Sequence, residues 1–201
     1  MAKTGRSGLE AIAASLPHEN GKGEARPLPP VDQWNPPFCG DIDMKIDADG
    51  TWFYQKTPIG RPALVRLFAS VLKREGDKYF LVTPVEKVGL TVVDVPFLAV
   101  ELRVEQDIQA GRNLVFRTNV DEWIAAGPGH ALRFDEDAAT GGLKPYLHVR
   151  RGLWAKVTRA LFYDLVALGE EREVGGSRMF GVASGGEFFA MAEASALKEF
   201  A

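Results

Sequence analysis

The 201-residue chain is 46% hydrophobic and 25% charged, with a net charge of -3 and a pI near 5.7. That is globular composition, with length for one large domain or two small ones. A mildly acidic chain argues against non-specific nucleic-acid binding, the single Cys39 excludes an internal disulfide, and no stretch approaches the ~20 apolar residues of a membrane span. The expectation is a cytoplasmic protein with neither nucleic acid nor membrane as partner.

Leu9, Ile12, Ala13 and Leu16 recur at helical spacing until Pro17. Residues 17–30 are rich in Pro and Gly, so residues 1–30 read as a short helix and a flexible linker. The stretch from Trp34 to Arg61 is the densest in special chemistry. Ile42, Met44 and Ile46 alternate with Asp41, Asp43 and Lys45, the period of a half-buried strand. Asp47-Ala48-Asp49-Gly50 reads as a turn, and Thr51 to Tyr54 as the partner strand. Pro62 then suits a first helical turn. Leu64, Val65, Leu67, Phe68, Val71 and Leu72 predict an amphipathic helix over 62–74, stopped by Gly76.

Strands follow at 79–83, 85–93, 98–105, 114–118, 131–134 and 146–150. Leu153, Trp154, Val157, Leu161, Phe162, Leu165 and Leu168 predict a second helix over 153–168, and 179–183 with 187–192 a hairpin through Ser184-Gly185-Gly186. The order strand, basic loop, helix, strand, strand occurs twice. Matching helix to helix sets Tyr79 to Thr83 against Met179 to Ala183, and Leu67-Phe68 against Leu161-Phe162. The pattern predicts an α+β fold of two duplicated, mainly antiparallel units with one long helix each, over residues 31–95 and 96–201. It also predicts one continuous antiparallel core, with a cleft at the seam.

Gly60-Arg61-Pro62 and Arg150-Arg151-Gly152 read as basic helix starts. Unpaired N–H groups and arginine together suit phosphate or carboxylate. The plain alternative is internal pairing, Arg61 with Asp41 or Asp43 and Arg150 or Arg151 with acidic loop residues. Asp41 and Asp43 share a strand face and form a weak cation or acid–base candidate, without an EF-hand ladder. Glu86 and Lys87 follow Thr83-Pro84 as a candidate site pair or a surface ion pair. Tyr146, His148 and Arg150 share a strand face that reads a ligand or faces solvent. His18, His130 and His148 lie far apart without metal spacing, and no nucleotide-loop or nucleophile motif is present.

Several blocks resemble the bacterial DUF1285 family: Trp34-Asn35-Pro36, Cys39 to Met44, Gly50 to Tyr54, Thr57 to Arg61, Tyr79 to Gly89, and Arg150 to Leu153. The resemblance covers most of the chain after residue 30. It implies a duplicated α+β core, a C-terminal unit similar to pleckstrin-homology folds, a nucleotide-like ligand between the units and a signalling role. It supplies no catalytic residues.

The expected function is a module that senses an anionic, at its most specific nucleotide-like, small molecule at the interface of the two units. Asp41 and Asp43 orient Arg61 or bind ligand hydroxyls. Trp52 or Tyr54 stacks, Arg61, Lys87, Arg150 and Arg151 supply charge, and Glu86 and Tyr146 complete the candidates. No cofactor or metal is expected. The alternatives are a hydrolase or phosphoryl-handling enzyme using Asp41, Asp43 and Glu86, and a protein-interaction scaffold.

Overall fold

The computed structural model describes residues 28–108 and 111–197. The predicted helix at 9–16 and most of the linker lie outside them. The chain divides into two compact units, up to Asp94 and from Val95.

The N-terminal unit is a six-stranded sheet. Its strands are β1 (Phe38–Ile46), β2 (Trp52–Tyr54), β3 (Thr57–Pro58), β4 (Leu72–Glu75), β5 (Lys78–Val82) and β6 (Lys87–Val92), in the order β3-β2-β1-β6-β5-β4. The two three-stranded meanders meet through a parallel β1–β6 pair; the other pairs are antiparallel. Alternation makes β1, with Met44 and Ile46 buried between exposed Asp43 and Lys45. Its turn is held by Asp side chains. Asp47 Oδ1 accepts the Ala48 N–H and Asp49 Oδ1 the Thr51 N–H, both at 2.9 Å, while Gly50 takes a φ of 78°.

Helix α1 (Pro62–Ser70) joins the two meanders, with Pro62 in its first turn. Its buried Phe68 stacks on Trp52 at 6.4 Å between ring centroids. The helix stops four residues before the predicted end at 74. Leu72 continues the i, i+4 spacing from Phe68 but belongs to β4, where Leu72 points inward and Glu75 outward. The Gly76-Asp77 turn returns the chain as a hairpin.

The C-terminal unit repeats this plan. Its strands β7 (Phe97–Asp107), β8 (Gly111–Thr118), β9 (Trp123–Ala125), β10 (Leu132–Glu136), β11 (Leu143–Arg150) and β12 (Leu153–Val157) run β10-β11-β12-β7-β8-β9. Again two antiparallel meanders meet through one parallel pair, β7–β12. Helix α2 (Arg159–Ala167) follows β12, burying Leu161 and Leu165. A three-stranded sheet of β13 (Glu170–Val174), β14 (Ser177–Ser184) and β15 (Glu187–Glu193) comes next, then the short α3 (Ala194–Leu197).

The α+β class and the tandem duplication hold, but the predicted register of the repeat does not. By strand order β1 to β6 correspond to β7 to β12, so β5 answers to β11 and not to residues 179–183. The helices are not equivalent either: α1 lies between the meanders, whereas α2 follows the whole second sheet. The predicted continuous antiparallel core is corrected to separate sheets, the two larger ones each with a parallel pair at its centre.

The predicted helix at 153–168 is likewise shortened. Leu153, Ala155 and Val157 are buried in alternation with Trp154 and Lys156, as a strand requires. Arg150-Arg151-Gly152 therefore does not open a helix. Arg151 and Gly152 adopt φ of 47° and 73° in the turn between β11 and β12.

Candidate functional site

In the N-terminal unit the expected site residues scatter by environment. Trp52 is corrected from a stacking platform to a core residue, 2% exposed against Phe68. Tyr54 is half-buried on β2. Asp41 and Asp43 are exposed, and among the described residues neither forms the alternative ion pair with Arg61. Among the described residues no group of three or more His, Cys, Asp or Glu converges as a metal site. The Asp41 carboxylate lies over Gly89 of β6, where a Cβ would stand 2.0 Å from its Oδ1. Arg61 caps α1 with extended backbone and no side-chain capping bond.

Glu86 sits in a turn locked by buried Thr83, whose Oγ1 accepts the Glu86 N–H at 3.1 Å. Lys87 pairs with Glu75 at 3.0 Å rather than with its sequence neighbour, and its ammonium lies 4.9 Å from the Phe80 ring centre. Lys73 reaches the other Glu75 oxygen at 3.1 Å. The Lys87 and Lys73 hydrogen bonds hold the Glu75 carboxyl below its ordinary range.

In the C-terminal unit Arg150 is part of the interior. Its guanidinium pairs with Glu122 and lies 5.2 Å from the Phe97 ring centre. Burial lowers its pKa and Glu122 opposes the shift. The expected helix start at Arg150 and Arg151 is thereby overturned, one being paired inside and the other placed in a strand turn. Tyr146 is buried, which corrects the expectation of a solvated face.

Tyr146 belongs to a ring cluster. The Arg133 guanidinium lies 5.1 Å from the Tyr146 ring centre and 4.5 Å from that of Trp154, and His148 meets Trp154 at 5.1 Å. His130 and His148, far apart in sequence, stand 6.0 Å apart. The Gly152 N–H donates to His148 Nε2 at 3.3 Å, so Nδ1 carries the proton and donates to the Gly129 carbonyl at 3.1 Å. His148 fastens two turns.

The candidate site is a cleft of about 560 Å³ where β11, β12 and α2 meet the loop between β10 and β11. Its apolar lining is Leu143, Pro145, Val157 and Phe162; its cations are Lys144, Lys156 and Arg159, with Tyr163 beside them. The sequence builds it locally. Thr158, extended and without a side-chain capping bond, starts α2 immediately after β12, and the first turn holds no acidic residue. Phe162 packs on Phe134 at 6.5 Å, and Arg159 Nε donates to the Tyr163 hydroxyl at 3.0 Å. At the loop, Lys144 pairs with Asp137 at 3.1 Å. The Ala139 N–H and then Lys144 lower the Asp137 carboxyl from its ordinary value.

A volume of this size suits a small organic ligand. An apolar lining with cations suits an anion that also carries an apolar or ring portion. None of the ten residues expected from sequence lines this cleft. Strand alternation at 153–157 was the signal that could have placed Lys156 and Arg159 beside it.

Sheet order and cleft together define a tandem α+β protein with a candidate ligand cavity in its second unit. The models of the DUF1285 N-terminal domain, of unknown function, and the DUF1285 C-terminal domain match residues 29–95 and 96–191. The chain belongs to the DUF1285 family. A crystal structure of a DUF1285 protein from Silicibacter pomeroyi DSS-3 is similar at 46% identity, over 96% of this chain and 100% of that one, with a TM-score of 0.83. Another, from Shewanella baltica OS155, is 31% identical over 63% of this chain and 91% of that one, with a TM-score of 0.50. No curated protein matches the chain. No described helix is long and apolar enough to cross a membrane.

Proposed function

We propose that this protein is a binding module for a small anionic ligand, and that its C-terminal unit holds the ligand in the cleft at the start of α2. The observation that carries this reading is the joining of an apolar lining to Lys144, Lys156 and Arg159 in one cavity. Leu143, Pro145, Val157 and Phe162 cover a ring or hydrocarbon portion. The cations, beside a helix N-terminus without an acidic side chain, take the charged end. A nucleotide-like molecule, with ring and phosphate, is the most specific form of this reading, and sensing is the role that simple binding serves.

A thermal-shift panel of nucleoside monophosphates, cyclic nucleotides and phosphorylated metabolites tests it, with the full chain and with Arg159→Ala. A ligand that binds only the folded state raises the midpoint in a saturable way. The expected result is a hit that Arg159→Ala weakens without lowering the midpoint of the unliganded protein. A flat panel, or a hit unchanged by Arg159→Ala and Lys156→Ala, overturns the assignment of this cleft.

A further inference from the structure

The C-terminal unit has a second cleft, of about 380 Å³, lined by Gln106, Arg112, Glu170, Arg172, Ser184 and Gly186 among others. Its frame is fixed. The Ser184 hydroxyl accepts the Leu114 N–H at 2.8 Å and donates to the Ala126 carbonyl at 2.7 Å, and is 1% exposed. The Gly185 N–H donates to the Arg112 carbonyl at 3.1 Å. Gly185, at φ 58°, admits no Cβ, because one would stand 2.9 Å from the Ala126 carbonyl oxygen. The turn between β14 and β15 is thus stitched onto β8.

Charge in this cleft is unbalanced. Glu170 Oε1 lies 2.6 Å from Arg172 Nη2, and the Arg172 guanidinium lies 5.1 Å from the Phe188 ring centre. Arg112 is half-buried, and its Nε donates to the Ala183 carbonyl at 3.2 Å. That carbonyl is a dipole and leaves the guanidinium charge unmatched. Arg112 lines the cleft, and its Nη2 is enclosed without a hydrogen-bond partner. Two guanidinium groups and one carboxylate give the lining a net positive charge of one.

We propose that this cleft is a binding site for a small carboxylate, held by Arg112 with Arg172 beside it. A guanidinium holds a carboxylate through charge-assisted N–H donors, which are stronger than neutral hydrogen bonds. A half-buried cation gains from such a partner because water screens it poorly. None of the lining residues is shared with the cleft at α2, so the inference stands apart from the proposed function.

The test titrates the full-length protein with acetate and reads the arginine Nε–H signals by nitrogen-15 NMR, against sodium chloride at equal ionic strength. The Arg112 Nε–H, tied to the Ala183 carbonyl, is a protected reporter. The expected result is a saturable acetate shift of the Arg112 and Arg172 signals. Arg172→Gln should weaken it about tenfold, the worth of one charge-assisted hydrogen bond. Arg112→Lys should abolish it, and Arg159→Ala should leave it unchanged. Acetate shifts equal to those of chloride, or saturation indifferent to Arg172→Gln, overturn the proposal. Should Arg112→Lys unfold the unit, the Arg172→Gln result decides alone.

Discussion

The two six-stranded sheets share one strand order and handle charge in opposite ways. In the first, Lys87 and Lys73 meet Glu75 at the surface, with Glu75 38% exposed. In the second, Arg150 is inside, 10% exposed, and Glu122 is its counter-ion. The surface trio keeps its hydration, so each pair contributes little. The interior pair has lost most of its water, so either partner left alone is costly. Strand order therefore does not set how a sheet treats its charges; local burial does.

Breaking the interior pair should have the largest effect. Glu122→Ala is expected to destabilise the C-terminal unit by about 3–5 kcal/mol, because the buried Arg150 guanidinium loses its ion pair with Glu122. Glu75→Ala should cost the N-terminal unit less than ~1 kcal/mol. Urea unfolding followed by Trp fluorescence compares them, and equal losses would remove the contrast.

Glycine contacts sharpen the comparison at the next level. A Cβ at Gly181 would meet the Phe189 carbonyl at 2.2 Å and the Ala190 Cα at 2.9 Å, both fixed backbone. Gly181→Ala should cost about 1–3 kcal/mol, the usual range for overpacking. At Gly89 the obstacle is mainly the exposed Asp41 carboxylate, which can turn away, so Gly89→Ala should lower the midpoint less.

The third comparison is between turns. Gln55 and Lys56, at φ of 48° and 64°, form a two-residue turn without a glycine, whereas the Arg151-Gly152 turn of the second unit has one. Gln55→Asn with Lys56→Gly should stabilise the N-terminal unit by ~1 kcal/mol. An unchanged urea midpoint would refute it.

The smallest effect is on pH. The Glu75 carboxyl is held below its ordinary value in the folded state by Lys87 and Lys73. Its contribution to stability is therefore present above the unfolded carboxylate pKa and lost as pH falls through the folded one. Glu75→Gln should flatten the acid limb of the stability profile slightly; an identical limb would show that the pairs contribute nothing.

Alternation made β1, β7 and the final hairpin legible in the sequence, and turn chemistry placed Asp47 to Gly50. Two ambiguities hid the rest. Phe68 and Leu72, and equally Leu153, Val157, Leu161 and Leu165, keep a spacing of four that continues a helical stripe across a helix–strand junction. The over-long predicted helices then brought Arg150-Arg151 to a false helix start and aligned the repeats on elements that are not equivalent. Long-range partners were the other gap. Nothing local to Arg150 indicates Glu122, and nothing local to Arg112 indicates Ala183 or Glu170, because those meetings depend on strand order. The cleft at α2 was missed for the same reason, since its lining comes from three strands or loops and a helix.

The most direct measurement is backbone amide NMR of the full chain titrated with adenosine monophosphate. The account predicts saturable shifts concentrated in residues 137–163, around the cleft at α2, and their loss in Arg159→Ala. Shifts confined to residues 38–91, or no saturable shift at all, would contradict it.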